Sequence, residues 1–284
     1  MTLRQALTLA TEQLASNSSL GDHAHRDAEL LLLHVLKLDR ATLLAYPTRP
    51  LTEQQLASYE DAIARRLRHE PIQYITGQQE FFGLPLKVTS ATLIPRPETE
   101  HLVEAVLARL PVDQPVRILD IGTGTGAIAL ALADQLPQAQ VTAVDLSAEA
   151  LKVAQENAVT HHLTGRVRFL LSDLLTALPQ NEQTAAFDVI VSNPPYIPEG
   201  DRAELHPQVR DYEPQQALFA GVLGLDIYRR LIPQAHAALK PGGLLALEIG
   251  YGQSEALASL LDDWKDISFV ADLQQIPRVV LARR

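Results

Sequence analysis

Leu119-Asp120-Ile121-Gly122-Thr123-Gly124-Thr125-Gly126-Ala127 decides the fold. Arg117 to Ile121 is a short apolar run ended by a breaker, which reads as a buried strand. The Ala- and Leu-rich stretch from Ala127 to Leu136 reads as a helix. The glycines between them allow positive φ and a close approach of backbone to a ligand. Moving outward, the same alternation repeats. Val141 to Val144 is a strand ending at Asp145, and a helix runs from Ser147 to about Thr160. Arg168 to Leu171 is a strand ending at Ser172-Asp173, and Asp188 to Ser192 is the fourth strand. A helix over about Leu225 to Leu239 is closed by Lys240-Pro241-Gly242-Gly243. Leu244–Ile249, Ile267–Val270 and Val279–Leu281 supply three more strands, with a helix at Ser254–Leu261. Alternation of this kind implies an α/β fold with a mostly parallel sheet covered on both faces. The short link before the seventh strand permits an antiparallel last strand.

Upstream the pattern changes. Leu3, Leu7, Ala10 and Leu14 recur at helical spacing, helices are expected over about Ala24–Leu38 and Arg40–Tyr46, and Thr52 with Gln55 forms a capping-box pattern for a third long helix. Gln73–Gly77 and Phe81–Val88 read as two short strands around Gln78-Gln79-Glu80. Pro97 suits the first turn of a helix reaching about Leu110, with Glu98 and Glu100 at its positive end. The expected organisation is a helical domain over 1–72, a β-hairpin linker over 73–92, and an α/β domain over 93–284.

The absence of cysteine excludes disulfides, thiolate metal sites and thiol nucleophiles, and fits a reducing cytoplasm. No signal peptide or membrane-spanning run is expected, and His23, His25 and His34 lack carboxylates at a metal-ligand spacing. The net charge is −10; the first 70 residues hold 8 Lys/Arg against 9 Asp/Glu, so the remainder holds 16 against 25. That acidity lowers the prior for a duplex-binding protein, which usually shows a basic face.

Asp145 lies where a carboxylate takes ribose hydroxyls. Gly122, Gly124 and Ala127 also satisfy the dinucleotide pattern Gly-x-Gly-x-x-Gly/Ala, so the loop alone fits a nicotinamide dehydrogenase or an S-adenosylmethionine enzyme. Three details favour the methyl donor. Asp120 stands two residues before the first glycine, and the donor carries an ammonium and a sulfonium but no pyrophosphate. Asp173 ends the third strand, where such enzymes often bind the adenine amino group. The fourth strand runs into Asn193-Pro194-Pro195-Tyr196, which resembles the motif of methyltransferases acting on a planar amide or exocyclic amine. Any one carboxylate could be a mere cap; together, at successive strand ends, they point to a ligand. An amide nitrogen is a weak nucleophile, so the protein's work is positioning and charge placement. The Asn193 side-chain carbonyl and the Pro194 backbone carbonyl can each accept one N–H and favour the developing positive charge, while Tyr196 can stack on the planar group. The alternatives are an adenine-N6 DNA or RNA methyltransferase, which needs a basic groove and a target-recognition domain, a dehydrogenase, which leaves Asn193 to Tyr196 unexplained, and a non-catalytic adaptor.

Beyond these residues, Glu70-Pro71-Ile72-Gln73-Tyr74-Ile75-Thr76-Gly77, Phe81-Phe82-Gly83-Leu84, Leu93-Ile94-Pro95-Arg96-Pro97-Glu98-Thr99-Glu100, Asp120 to Gly126, Val191 to Ile197 and Tyr212-Glu213-Pro214 resemble the HemK/PrmC family. These are the glutamine N5-methyltransferases of peptide chain release factors. The resemblance implies a Rossmann-like class I S-adenosylmethionine-dependent methyltransferase with an N-terminal all-helical domain. It implies a cytoplasmic enzyme acting on the Gln of the Gly-Gly-Gln motif in class I release factors, with no metal and no direct nucleic-acid or membrane partner. Gly122, Thr123, Gly124, Thr125, Gly126, Asp145, Asp173, Leu174 and Asn193 would contact the donor. Asn193, Pro194, Pro195 and Tyr196 would hold the acceptor, and the helical domain and hairpin would help hold the protein partner. Leu174 stands where relatives often carry an aromatic or other apolar residue, and Asp272 to Arg278 departs from a Gly-containing version of that turn.

Overall fold

The computed structural model describes residues 1–284 and comprises two compact units, Met1–Gly77 with His206–Tyr212, and Gln78–Leu205 with Glu213–Arg284. The first contains α1 (Leu3–Ala15), α2 (Ala24–Leu36), α3 (Arg40–Ala45), α4 (Glu53–Leu67) and α5 (Ile72–Thr76). Thr52 and Gln55 form the expected capping box on α4: Thr52 Oγ1 accepts from the Gln55 amide at 3.2 Å, and Gln55 Oε1 accepts from the Thr52 amide at 3.0 Å. Thr2 and Gln5 form a second on α1. Leu3, Leu14, Leu31, Leu32 and Ile63 fill the core around Tyr59, whose buried hydroxyl donates to the Ala28 carbonyl at 2.9 Å.

The segment Gln73–Gly77, expected as a strand, is helical. Its β-branched and aromatic residues favour a strand, yet Pro71 caps a helical turn and Gly77 closes it in the left-handed region at φ 74°. Burial of Ile75 in the helical core overrides the local preference. The hairpin is consequently displaced along the chain to β1 (Gln78–Phe81) and β2 (Leu84–Lys87), joined by Phe82-Gly83. Both turn residues have positive φ, as the right-handed twist of a two-residue hairpin demands.

The second unit continues with α6 (Pro97–Leu107), β3 (Val116–Ile121), α7 (Ala127–Gln135), β4 (Ala139–Asp145), α8 (Ala148–Thr160), β5 (Val167–Leu171) and β6 (Phe187–Ser192). The short α9 (Pro207–Arg210) belongs to the segment grouped with the helical unit, where Tyr212 donates to the Arg68 carbonyl at 2.7 Å. There follow α10 (Asp226–Ala238), β7 (Leu239–Glu248), α11 (Ser254–Leu260), β8 (Lys265–Ala271) and β9 (Pro277–Arg283). Lys240-Pro241-Gly242-Gly243, expected to lie before this strand, falls within β7 at a register shift against β6.

The seven strands run in the order β5-β4-β3-β6-β7-β9-β8, parallel except for β9, which is antiparallel to both its neighbours. Successive side chains of β3 and β6 alternate between the two faces. Ile118, Val189 and Val191 join one core with α6 and α7, whereas Leu119 and Ile190 join the other with α10 and α11. Asn157 on α8 fastens the hairpin to the glycine loop: its Nδ2 donates to the Lys87 and Thr125 carbonyls at 3.0 and 2.9 Å, and its Oδ1 accepts from the Lys87 amide at 2.7 Å. In the turn after β8, Asp272 accepts from the Gln274 and Ile276 amides and from Arg278, while Gln275 takes the left-handed φ of 63°. No helix is long and apolar enough to cross a membrane.

Candidate active site

β3 pairs with β4 on one side and β6 on the other, so strand order reverses between β3 and β6. The crevice beyond the carboxyl ends of strands at such a point is where open α/β sheets bind ligands. The glycine loop leaves β3 there, and Asn193 leaves β6 one residue past the Ile121–Ser192 pair. Between them opens a cleft with a cavity volume of about 140 Å³. Gly122, Gly124, Asp145, Asp173 and Leu174 line it on the side of β3 to β5, and Asn193, Pro194 and Pro195 on the side of β6.

Gly122 and Gly124 have φ of 72° and 56°, and a Cβ on either would meet nothing within 4 Å. The backbone is therefore bare toward open space. Asp145 ties the loop to the next element: its Oδ2 accepts from the Gly124 amide and its Oδ1 from the Ser147 amide, both at 2.8 Å. Burial raises its pKa, with the backbone N–H groups of Ser147, Gly124 and Leu146 acting against the shift. Asp173 is half exposed and pairs with Arg230 Nη2 at 2.7 Å. Leu174 is buried at φ 51°, its carbonyl accepting from Ser172 Oγ at 2.7 Å, and presents an apolar wall beside Asp173.

Thr123, Thr125, Gly126 and Tyr196 are not among the lining residues. The first three shape the loop from behind. Thr123 Oγ1 donates to Asp120 Oδ2 at 2.6 Å, Thr125 receives Asn157, and Gly126 has room for no Cβ without crowding Leu130 and Ala154. Asp120 is fully buried, so it braces the loop from within the sheet; burial pushes its carboxyl up to about 7. Tyr196 instead borders an adjoining depression with Leu223 and Tyr251. Gln253 Nε2 clamps its carbonyl at 3.0 Å.

A bare glycine backbone, a carboxylate placed for hydroxyls and a second carboxylate beside an apolar wall suit a ligand built of a ribose and a flat base. These residues fit the adenosine part of S-adenosylmethionine. Replacing Asp145 by alanine removes charge-assisted hydrogen bonds worth about 1.5–3 kcal/mol. Titration calorimetry is expected to show S-adenosylmethionine binding weakened by about 10- to 100-fold; an unchanged affinity removes Asp145 from the site.

Asn193 Nδ2 donates to Thr99 Oγ1 on α6 at 3.1 Å, which turns its carbonyl oxygen away from Thr99. Arg96 does not enter the cleft lining. It pairs at 2.5 Å with buried Glu213, whose other oxygen accepts from the Ile94 amide at 3.1 Å, and so pins the loop before α6. Sequence reasoning gave no role to Thr99 or to Glu248, the last residue of β7. The signal available for the latter was a single carboxylate in the apolar run Leu244–Ile249. No group of three or more His, Cys, Asp or Glu side chains is arranged to hold a metal ion.

Residues 5–77 match the PrmC N-terminal domain, and residues 113–275 match a methyltransferase domain. A release factor glutamine methyltransferase of Koribacter versatilis (strain Ellin345) is 48% identical over all of this chain and 99% of its own length. The protein of that name in Escherichia coli (strain K12) is 44% identical over 99% of this chain and 97% of its own. Among solved structures, a methyltransferase from Pyrococcus furiosus superposes with a TM-score of 0.51 at 19% identity, covering 79% of this chain and 98% of that one, which bears on the fold alone. With the glycine loop, the carboxylates at the strand ends and Asn193 gathered at one switch point, and with relatives this similar along the whole length, the chain belongs to the release factor glutamine methyltransferase family.

Proposed function

We propose that this protein transfers a methyl group from S-adenosylmethionine to the side-chain amide N5 of the glutamine in the Gly-Gly-Gln motif of class I peptide chain release factors, and so modulates translation termination. The observation that carries this reading is the Asn193 amide, oriented by Thr99 and set across the cleft from Gly122, Gly124 and Asp145. The donor, when bound, supplies an electrophilic methyl on a sulfonium and leaves as S-adenosyl-L-homocysteine, and the acceptor nitrogen gives up one N–H proton after the methyl arrives. Asp145, Asp173 and Leu174 would hold its ribose and adenine, and the glycine loop its amino-acid end.

Asn193 Oδ1 and the Pro194 carbonyl each accept one N–H of the acceptor amide. Two acceptors on one NH₂ fix its plane and favour the positive charge that grows on nitrogen. Pro194 and Pro195 stiffen the backbone that carries them. We assign Tyr196 to the rim, where its ring borders the adjoining depression. No step is assigned to a metal ion, a nucleic acid or a membrane. We place the reaction in the cytoplasm, with the helical domain and hairpin holding the protein partner. The test is mass spectrometry of a release factor incubated with enzyme and S-adenosylmethionine. A gain of one CH₂ located on that glutamine is expected; methyl label on DNA or RNA and never on the factor sinks the reading.

A further inference from the structure

Glu248 ends β7, immediately beside the carboxyl end of β6, and is 97% buried, with a relative exposure of 3%. A carboxylate in that position needs a reason, because burial without full pairing is costly. Tyr196 donates to Oε1 at 3.4 Å, while Oε2 has no hydrogen-bond partner. The Thr99 hydroxyl is close enough to stabilise the ionised carboxylate. Thr99 is also the residue that receives Asn193 Nδ2 at 3.1 Å. Three elements thus bring one chain of polar groups together: Glu248 on β7, Thr99 on α6 and Asn193 after β6.

We propose that Glu248 and Thr99 form a positioning relay that fixes the Asn193 amide with its carbonyl oxygen turned to the acceptor. The physical basis is direction. An ionised carboxylate only accepts, whereas a hydroxyl both donates and accepts. In this relay the Thr99 proton turns to Glu248, so that the Thr99 lone pairs face Asn193 and take its NH₂. A side-chain amide that flips would present NH₂ to the acceptor NH₂, donor against donor. The relay therefore selects the one orientation in which Asn193 accepts. It rests on the reading that Asn193 holds the acceptor amide.

The carboxyl is poised to titrate. Burial lifts it to about 7, with the hydroxyls of Thr99 and Tyr196 and the charge of Arg278 acting against the shift and Glu98 adding to it. Tyr228, packed against the same strand, donates to the Glu248 backbone carbonyl at 2.7 Å, and burial, with the Glu248 charge adding to it, holds its hydroxyl protonated. The sign follows: below about 7 the carboxyl carries a proton, becomes a donor and releases the constraint on Thr99. Methyl transfer should fall as pH drops through that value.

The experiment compares Glu248→Gln, Thr99→Val and Thr99→Ser in the full chain, with release factor and S-adenosylmethionine as substrates. Glu248→Gln keeps the shape but offers N–H donors to Thr99, so Asn193 loses its preferred orientation. Its kcat is expected to fall by about 10²-fold, the cost of a small misplacement of a positioning group, with KM for S-adenosylmethionine little changed. The fall of wild-type kcat on the acid side of pH 7 should disappear in this variant. Thr99→Val should resemble it, and Thr99→Ser should keep most of the activity. Wild-type kcat in both Glu248→Gln and Thr99→Val overturns the relay, as does an equal loss in Ser and Val at position 99. Should Glu248→Gln fail to fold, the position 99 pair decides alone. Asn193→Ala separates the two ideas: if it transfers methyl normally, the reading beneath the relay has failed; if it alone is inactive, only the relay has.

Discussion

Asn193→Ala is expected to lose methyl transfer almost completely while retaining measurable S-adenosylmethionine binding. The substitution removes one of two acceptors aimed at the reacting amide and frees Thr99, with which Asn193 Nδ2 is hydrogen-bonded at 3.1 Å. Removing a single preorganised group that answers transition-state charge costs about 10²–10³ in kcat, or about 2.7–4 kcal/mol. The cleft wall formed by Gly122, Gly124, Asp145 and Leu174 is left in place. Single-turnover transfer to a release factor should therefore collapse while calorimetry still reports donor binding. Transfer at the wild-type rate would falsify the assignment of Asn193 to the acceptor.

The α/β unit was legible because its strands are short apolar runs, each ended by a residue with a job. Asp145 ends a strand and Gly122, Asp173 and Asn193 follow strands, so reading strand ends was enough to assemble most of the cleft. What stayed hidden depended on three-dimensional pairing. Glu248 looks like an ordinary residue of an apolar strand until β7 is set beside β6 and its side chain meets Tyr196. Thr99 lies in a conspicuous segment, yet only the packing of α6 brings it to Asn193, far away in sequence. Arg96 reads from sequence as a structural ion-pair residue or a substrate contact, the former favoured, and its partner emerges only when Glu213 is found buried against it. The strand expected over 73–77 failed for the opposite reason: local preference was clear, and the helical core outweighed it.

Removing one half of the buried ion pair in the helical unit is expected to destabilise that unit by about 3–5 kcal/mol, the usual cost of stranding a buried charge. Asp27 on α2 and Arg66 on α4 are each 6% exposed, and Arg66 Nε donates to Asp27 Oδ2 at 2.7 Å. Arg66 Nη1 also donates to the Glu70 carbonyl at 3.1 Å and to Gln208 Oε1 on α9 at 3.2 Å. The guanidinium is therefore the node that ties α2, the end of α4 and the 206–212 segment into one unit. In Asp27→Ala the charge stays buried and loses its counter-ion. Thermal unfolding should show an early transition for the helical unit, while S-adenosylmethionine binding by the other unit persists. The paired replacement Asp27→Leu with Arg66→Met should recover much of the loss, since no charge is then left buried. Gln208 and Glu70 lose their donor in that pair, and the recovery should be incomplete to that extent. A change in unfolding free energy below about 0.5 kcal/mol in Asp27→Ala, the level of an ordinary surface substitution, would show that the pair does not hold the unit together.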